Sequence, residues 1–217
     1  MKKLITLPTL VLACMMMLSI FGLQAQDAAA SKEGFNAKNR FGIRVGANIA
    51  KQTFDEGNLD QDPEGKFGGD LAILANFQIG GGFFALQPEL HWMQKGYKIS
   101  DATSGGQSVG DVTSTLNYLE LPVLLRFNFG GSLRLFAIGG PSAGYLLGGT
   151  IENDIAKTEA KDVLDDIEFG VHIGAGVGIG TFEIDVRYMA GLSDISNSED
   201  LTDVKNSALG AGITLKF

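Results

Sequence analysis

Two histidines, His91 and His172, are the side chains in this 217-residue chain best suited to general acid or base chemistry near neutral pH. Membrane-embedded hydrolases pair such a His with a Ser or a carboxylate, and Glu89 and Glu168 stand close by in the chain. No Ser adjoins either His, and a metal site would lack an evident third and fourth ligand. The spacing therefore favours a polar network that satisfies buried hydrogen bonds. The acidic run Asp60, Asp62 and Glu64 offers oxygen ligands for calcium, but it departs from EF-hand spacing and lacks the closing Glu. The glycines 174, 176 and 178 could be taken for a nucleotide loop, yet no helix follows and no βαβ unit surrounds them. We expect no catalytic, cofactor-binding or metal-ligating residue, no cofactor and no enzyme activity.

The elements that carry these residues alternate with a period of two. From Phe169 to Gly180 the positions Phe169, Val171, Ile173, Ala175, Val177 and Ile179 are apolar, while Glu168, Gly170, His172 and the intervening glycines are small or polar. The same division holds in Phe41 to Ile49, Leu71 to Ile79, Phe84 to Trp92, Leu119 to Phe129, Leu133 to Leu147, Phe182 to Ala190 and Leu209 to Phe217. Eight such strands fit a soluble barrel with an apolar inside or a membrane barrel with an apolar outside. The second face decides between them. It carries Gly42, Gly46, Gly140, Gly144, Gly170, Gly174, Gly210 and Gly212, residues small enough for a crowded lumen. Its carboxylates Asp70, Glu89, Glu120, Glu168, Glu183 and Asp185 are nearly matched by Arg44, Arg126, Arg134, Arg187 and Lys216, as a shared interior network requires. An Arg facing lipid at the bilayer midplane would cost roughly 2 to 4 kcal/mol, and none falls on the apolar face. The charged face is therefore expected inside and the apolar face in lipid.

Connection lengths agree with this. Long polar stretches at Lys51 to Gly65, Tyr97 to Val112, Gly148 to Asp166 and Ser193 to Ser207 alternate with tight turns at Gly80 to Gly82, Gly130 and Gly131, and Gly180 and Thr181. Outer-membrane barrels have short periplasmic turns and long external loops, so both chain ends are expected in the periplasm. The composition fits as well. Thirty glycines are twice the ordinary share of about 7%. The net charge of -8, concentrated in the long loops, argues against nucleic acid as a partner.

Residues 1–25 read as a signal peptide: Lys2 and Lys3, an apolar run from Leu4 to Leu23, and Ala25 before the cleavage point at Gln26. An uncleaved anchor is the competing reading, and Thr6, Pro8, Thr9 and Ser19 interrupt the run against it. Cys14 is followed by the apolar Met15 to Phe21, unlike a lipid-attachment site, so the mature chain is expected to have no cysteine chemistry. Residues 26–40 read as a short periplasmic segment and 41–217 as the barrel domain.

Three motifs in order, Leu86-Gln87-Pro88-Glu89-Leu90 with Gln94-Lys95-Gly96, Tyr118-Leu119-Glu120-Leu121-Pro122-Val123-Leu124-Leu125, and Gly139-Gly140-Pro141-Ser142-Ala143-Gly144-Tyr145-Leu146-Leu147, resemble the PorT-like outer-membrane β-barrel family. The resemblance spans about Phe41 to Phe217 and implies an all-β, eight-stranded antiparallel up-and-down transmembrane barrel in the outer membrane. It implies no settled activity for most members. The founding member is associated with secretion of cell-surface proteins, a role that a shared barrel does not transfer.

Pro88, Pro122 and Pro141 each remove a ladder hydrogen bond, which predicts bulges or positions near a membrane boundary there, with the alternation off by one residue around Pro122 and Pro141. Trp92, Tyr97, Tyr118, Phe127, Phe129, Phe136, Tyr145, Phe182 and Tyr188 are expected in aromatic girdles. The terminal strand, closing on Phe217, is similar to the tag by which outer-membrane proteins reach the barrel assembly machinery. The expected partners are outer-membrane lipids, that machinery during biogenesis, and other envelope or secretion proteins. The functional expectation is an envelope scaffold or interaction protein; the alternative is a small channel or ligand-binding barrel, with a general porin ranked below.

Overall fold

The computed structural model describes residues 40–53, 63–104, 107–153, 157–162, 164–196 and 204–217. The signal peptide, Cys14, Asp60 and Asp62 lie outside these residues. Nine strands follow in order: β1 (Arg40–Thr53), β2 (Glu64–Ile79), β3 (Phe84–Ser104), β4 (Gln107–Gly130), β5 (Leu133–Glu152), β6 (Lys157–Glu159), β7 (Ile167–Ile179), β8 (Phe182–Gly191) and β9 (Lys205–Lys216). Apart from the short β6, which pairs with the outer end of β5, each strand pairs antiparallel with its chain neighbours. Pairing of β1 with β9 from Gly42↔Lys216 to Thr53↔Lys205 closes eight strands into a ring. At the seam the amides of Phe41 and Phe217 donate to each other's carbonyls at 3.2 and 2.9 Å.

The alternation becomes an inside and an outside. Phe41, Ile43, Val45 and Ile49 on β1 are exposed, while Arg44 and Asn48 between them are buried. The outer apolar band spans about nine residues on β1 and on β3, near the length a tilted strand needs to cross a bilayer. The three tight turns reverse direction at Gly81, Gly130 and Gly180, whose φ values of 74°, 93° and 60° favour glycine. Around two of these turns, Phe83, Phe84, Phe127 and Phe129 meet edge to face with centroids 4.6 to 6.3 Å apart, an aromatic cluster at the short-turn end of the barrel.

Several expectations are corrected. Most of the stretch Tyr97 to Val112 is paired strand and not loop: β3 extends to Ser104 and β4 starts at Gln107, with 21 and 24 residues, and Tyr97, Ile99, Ala102 and Val112 pack together beyond the membrane band. Likewise β5 continues to Glu152. The lumen is not wholly polar, since Leu124, Phe136 and Ile138 form one buried cluster and Ala50, Met93, Met189 and Ala208 another. Tyr118 and Phe136 point inward rather than into a girdle, because they share parity with Glu120 and Arg134 on their strands. Register is constant through Pro122↔Ser142 and Pro141↔Val171, so the expected slip is absent. The ladder instead opens locally beside each proline, and the shifts fall at Gly65/Asp70, Ile99/Ala102, Ala102/Thr103 and Asn117/Tyr118, toward the end of the long connections.

At that end the connections fold over the mouth. Ala160, Leu164, Ile195 and Val204 join the inward-facing Leu116, Tyr118 and Leu146 in one apolar cluster. Backbone bonds from Leu146 to Asp166 (2.7 Å), Asp165 to Ile195 (2.8 Å) and Ile195 to Val204 (2.9 Å) tie the connections to it.

Candidate functional site

The lumen holds the residues whose chemistry the sequence singles out, arranged in three polar layers. Nearest the short turns, Arg126 donates through both terminal nitrogens to Glu183 at 2.8 and 2.9 Å and through Nε to Asn128 at 2.7 Å. Its guanidinium lies 3.6 Å from the centre of the Phe136 ring, and Lys216 reaches Glu183 at 3.0 Å. Gln87 accepts from both Arg126 and Asn76, at 3.1 and 2.9 Å.

The middle layer is built on two arginines. Arg44 bonds Asp70 and, at 2.9 to 3.2 Å, Asp185. Arg187 bonds Asp185 at 2.7 Å and Glu89 at 2.5 Å. His91 completes a ring by bridging Asp70 through Nδ1 (2.7 Å) and Glu89 through Nε2 (2.5 Å). Glycines make the space for this layer. A Cβ at Gly46 would lie 2.7 Å from an Arg44 nitrogen, and one at Gly212 would strike the same guanidinium.

Toward the outside, His172 Nε2 meets Glu120 at 2.8 Å. Lys95 bridges Glu120 and Glu168 at 3.2 and 3.1 Å, and its ammonium stands 5.0 Å from the centre of the Tyr118 ring. Asn206 donates to Glu168 at 3.2 Å and accepts from Gln52 at 2.9 Å.

The two histidines face each other across the lumen, with ring centroids 6.0 Å apart. His91 does contact Glu89, whereas His172 contacts Glu120 rather than Glu168. Lys95 is a member that sequence reasoning misses, because the clear alternation of the third strand ends at Trp92. With it, the carboxylates Asp70, Glu89, Glu120, Glu168, Glu183 and Asp185 face five buried cations, Arg44, Lys95, Arg126, Arg187 and Lys216, and the partly exposed Arg134. Six carboxylates and six Lys or Arg side chains therefore share the lumen, with His91 held between two of the carboxylates, and most carboxylates touch two or more donors. In chemical terms this arrangement fixes charges against one another in a buried interior.

Closure of the ring, an apolar belt outside and paired charges inside define an integral β-barrel of the outer membrane. The chain belongs to the family of the outer membrane protein beta-barrel domain, which it matches over residues 24–197. No curated protein matches its sequence. Among solved structures it is similar to a major outer membrane protein from Thermus thermophilus, at 11% identity and a TM-score of 0.50, covering 82% of this chain and 99% of that one. It is also similar to Neisserial surface protein A, at 15% identity and a TM-score of 0.49 over 82% of this chain and 97% of that one. A third is Ail, the attachment invasion locus protein of Yersinia pestis, at 15% identity and a TM-score of 0.43 over 82% and 99% of the two chains. At these identities the likeness bears on fold alone.

Proposed function

We propose that the protein is a non-enzymatic, non-conducting envelope scaffold or interaction protein that works through the external ends of its strands and its long connections. The observation that carries this reading is the filled lumen. Eight strands leave an interior that side chains just occupy, and here Arg44, Arg126 and Arg187 are among the largest fully buried side chains. An ion crossing such a barrel would have to part pairs such as Arg44 with Asp185 and Lys95 with Glu168. The ordered motifs from Leu86 to Leu147 support placing the chain with the PorT-like members, which makes proteins of the secretion route the first partners to test.

The alternative, a small channel or ligand-binding barrel, draws on His172 Nδ1 and Glu168 Oε1, buried lumen atoms with no hydrogen-bonding protein partner among the described residues. Planar-bilayer recording separates the two. The scaffold reading expects no ion-selective steps from the purified barrel, together with capture of envelope proteins by crosslinkers placed on the β3–β4 hairpin. Reproducible single-channel steps that His172→Ala alters would overturn it in favour of the channel. Loss of a hydrolytic activity in a folded His91→Ala or His172→Ala barrel would overturn the non-enzymatic part.

A further inference from the structure

Outside the lumen, on the wall formed by β3, β4 and β5, an open groove of about 530 Å³ lies just beyond the apolar belt. Its level in the membrane follows from the register. Trp92 pairs with Leu119, where the belt ends on those two strands. One step outward, Asn117 pairs with Gly148, and two residues further Thr115 pairs with Thr150. The groove thus begins at an interfacial Trp and rises through the depth occupied by lipid headgroups.

Local sequence hollows it out. The register shift between Asn117 and Tyr118 bulges β5 at Leu147 and leaves that side chain exposed beside the groove. Two glycines follow. A Cβ at Gly149 would run into the Thr115 carbonyl, so the strands approach too closely there for any side chain, while a Cβ at Gly148 would meet nothing within 4 Å. The floor is therefore bare backbone. β6 then folds back on β5 through Thr150↔Glu159 and brings Glu159 to the rim.

The lining changes character along the membrane normal. Trp92 and Leu147 form its lipid-side edge, and Thr115, Asn117 and Thr150 offer hydroxyl and amide groups above them. Glu159 is the one charged side chain among the lining residues, and Lys66 lies over Gly96, the β3 partner of Thr115, at the side of the groove. A flat aromatic beside neutral donors and acceptors suits a sugar ring, whose C–H face stacks and whose hydroxyls bond outward. A carboxylate as the one charged group of the lining disfavours a phosphate as the group that enters.

We propose that this groove seats the sugar headgroup of an outer-leaflet glycolipid, with the ring against Trp92 and its hydroxyls on Asn117, Thr115, Thr150 and Glu159. The acyl chains would continue down the belt past Leu119 and Leu147.

Trp92 is the single tryptophan of the chain, so its emission reports on the groove directly. The barrel is placed in phosphatidylcholine vesicles and titrated with a diacyl glycolipid bearing an uncharged disaccharide, and separately with phosphatidylethanolamine and phosphatidylglycerol. The expected result is a saturable emission change for the glycolipid, half-complete at a lipid fraction at least threefold lower than for either phospholipid. Thr115→Phe fills the groove from the outer face of β4 and should abolish the response while the heat-dependent gel shift persists. Where that variant loses the gel shift, Asn117→Leu, which removes a polar contact without adding bulk to the floor, is read in its place. No saturable change, an equal response to phosphatidylethanolamine or phosphatidylglycerol, or an unchanged response in the folded variant would overturn the proposal.

Discussion

Arg44 concentrates the logic of the interior in one side chain. It is completely buried, it holds Asp70 and Asp185 together, and Gly46 and Gly212 give up side chains to admit it. Removing Arg44 leaves Asp70 with His91 alone and Asp185 with Arg187 alone, and breaking such a buried ionic contact typically costs about 3 to 5 kcal/mol. Arg44→Met should lower the stability of the detergent-refolded barrel by that amount in urea titration. Arg44→Lys should recover little of it, because one ammonium lacks the planar fork that reaches both carboxylates. A loss under about 1 kcal/mol for Arg44→Met would show that the network relaxes around the gap. The histidines should differ in the same assay. His91 has two carboxylate partners and His172 one, so His91→Ala should destabilise more than His172→Ala. At this scale the sequence carries the membership of most of the network through parity alone. Parity also holds the inward placement of Tyr118 and Phe136, which share it with Glu120 and Arg134, but their aromatic type pulls the reading toward a girdle. Lys95 escapes for a different reason, lying past the last residue at which the pattern of β3 reads plainly as strand.

Among the elements, the β3–β4 hairpin departs most from what its residues announce. Alternation through Tyr97, Ile99 and Ala102 breaks at Asp101, whose φ of 52° marks the irregularity where register shifts between Ile99 and Ala102. A period-two reading cannot pass such a point, so a paired extension has the look of a loop. The three prolines mislead in the opposite sense, since each removes a ladder bond without adding a residue and the register runs on. Outside the membrane the hairpin is pinned by Asp111, which accepts from Lys98 at 2.9 Å and from the Asp101 amide at 3.1 Å. The Lys98 hydrogen bond, then that of the Asp101 amide, holds the Asp111 carboxyl below its ordinary range, and Asp111 in turn raises Lys98. A depressed carboxyl stabilises above its unfolded pKa and loses that contribution as pH falls through the folded value. A raised lysine keeps its contribution until the pH climbs past the ordinary lysine range. Amide protection in Lys98 to Val112 should therefore hold from about pH 8 to 5 and weaken only below about 4. Asp111→Asn should show the weakened protection at every pH, and a decline already evident at about pH 6 would contradict the assignment.

For the molecule as a whole, a barrel in lipid has no edge to spare, and closure depends on β1 meeting β9. The last residue takes part twice. Its backbone exchanges two hydrogen bonds with Phe41, and its ring is exposed on the apolar face at the short-turn end. These roles separate experimentally. Deleting Phe217 removes both bonds and should lower stability in vitro by about 1 to 3 kcal/mol, whatever happens in cells. Phe217→Ala keeps the backbone bonds, so the refolded barrel should retain its urea midpoint and its heat-dependent gel shift. If the terminal aromatic is the tag read by the assembly machinery, that same variant should nonetheless reach the outer membrane of living cells far less than the parent. Parallel loss in both settings would make Phe217 a packing residue of the seam, and normal assembly of Phe217→Ala in cells would remove the tag from the account. The contrast is informative because the substitution changes nothing in the lumen, where the charges that hold the barrel together are already paired.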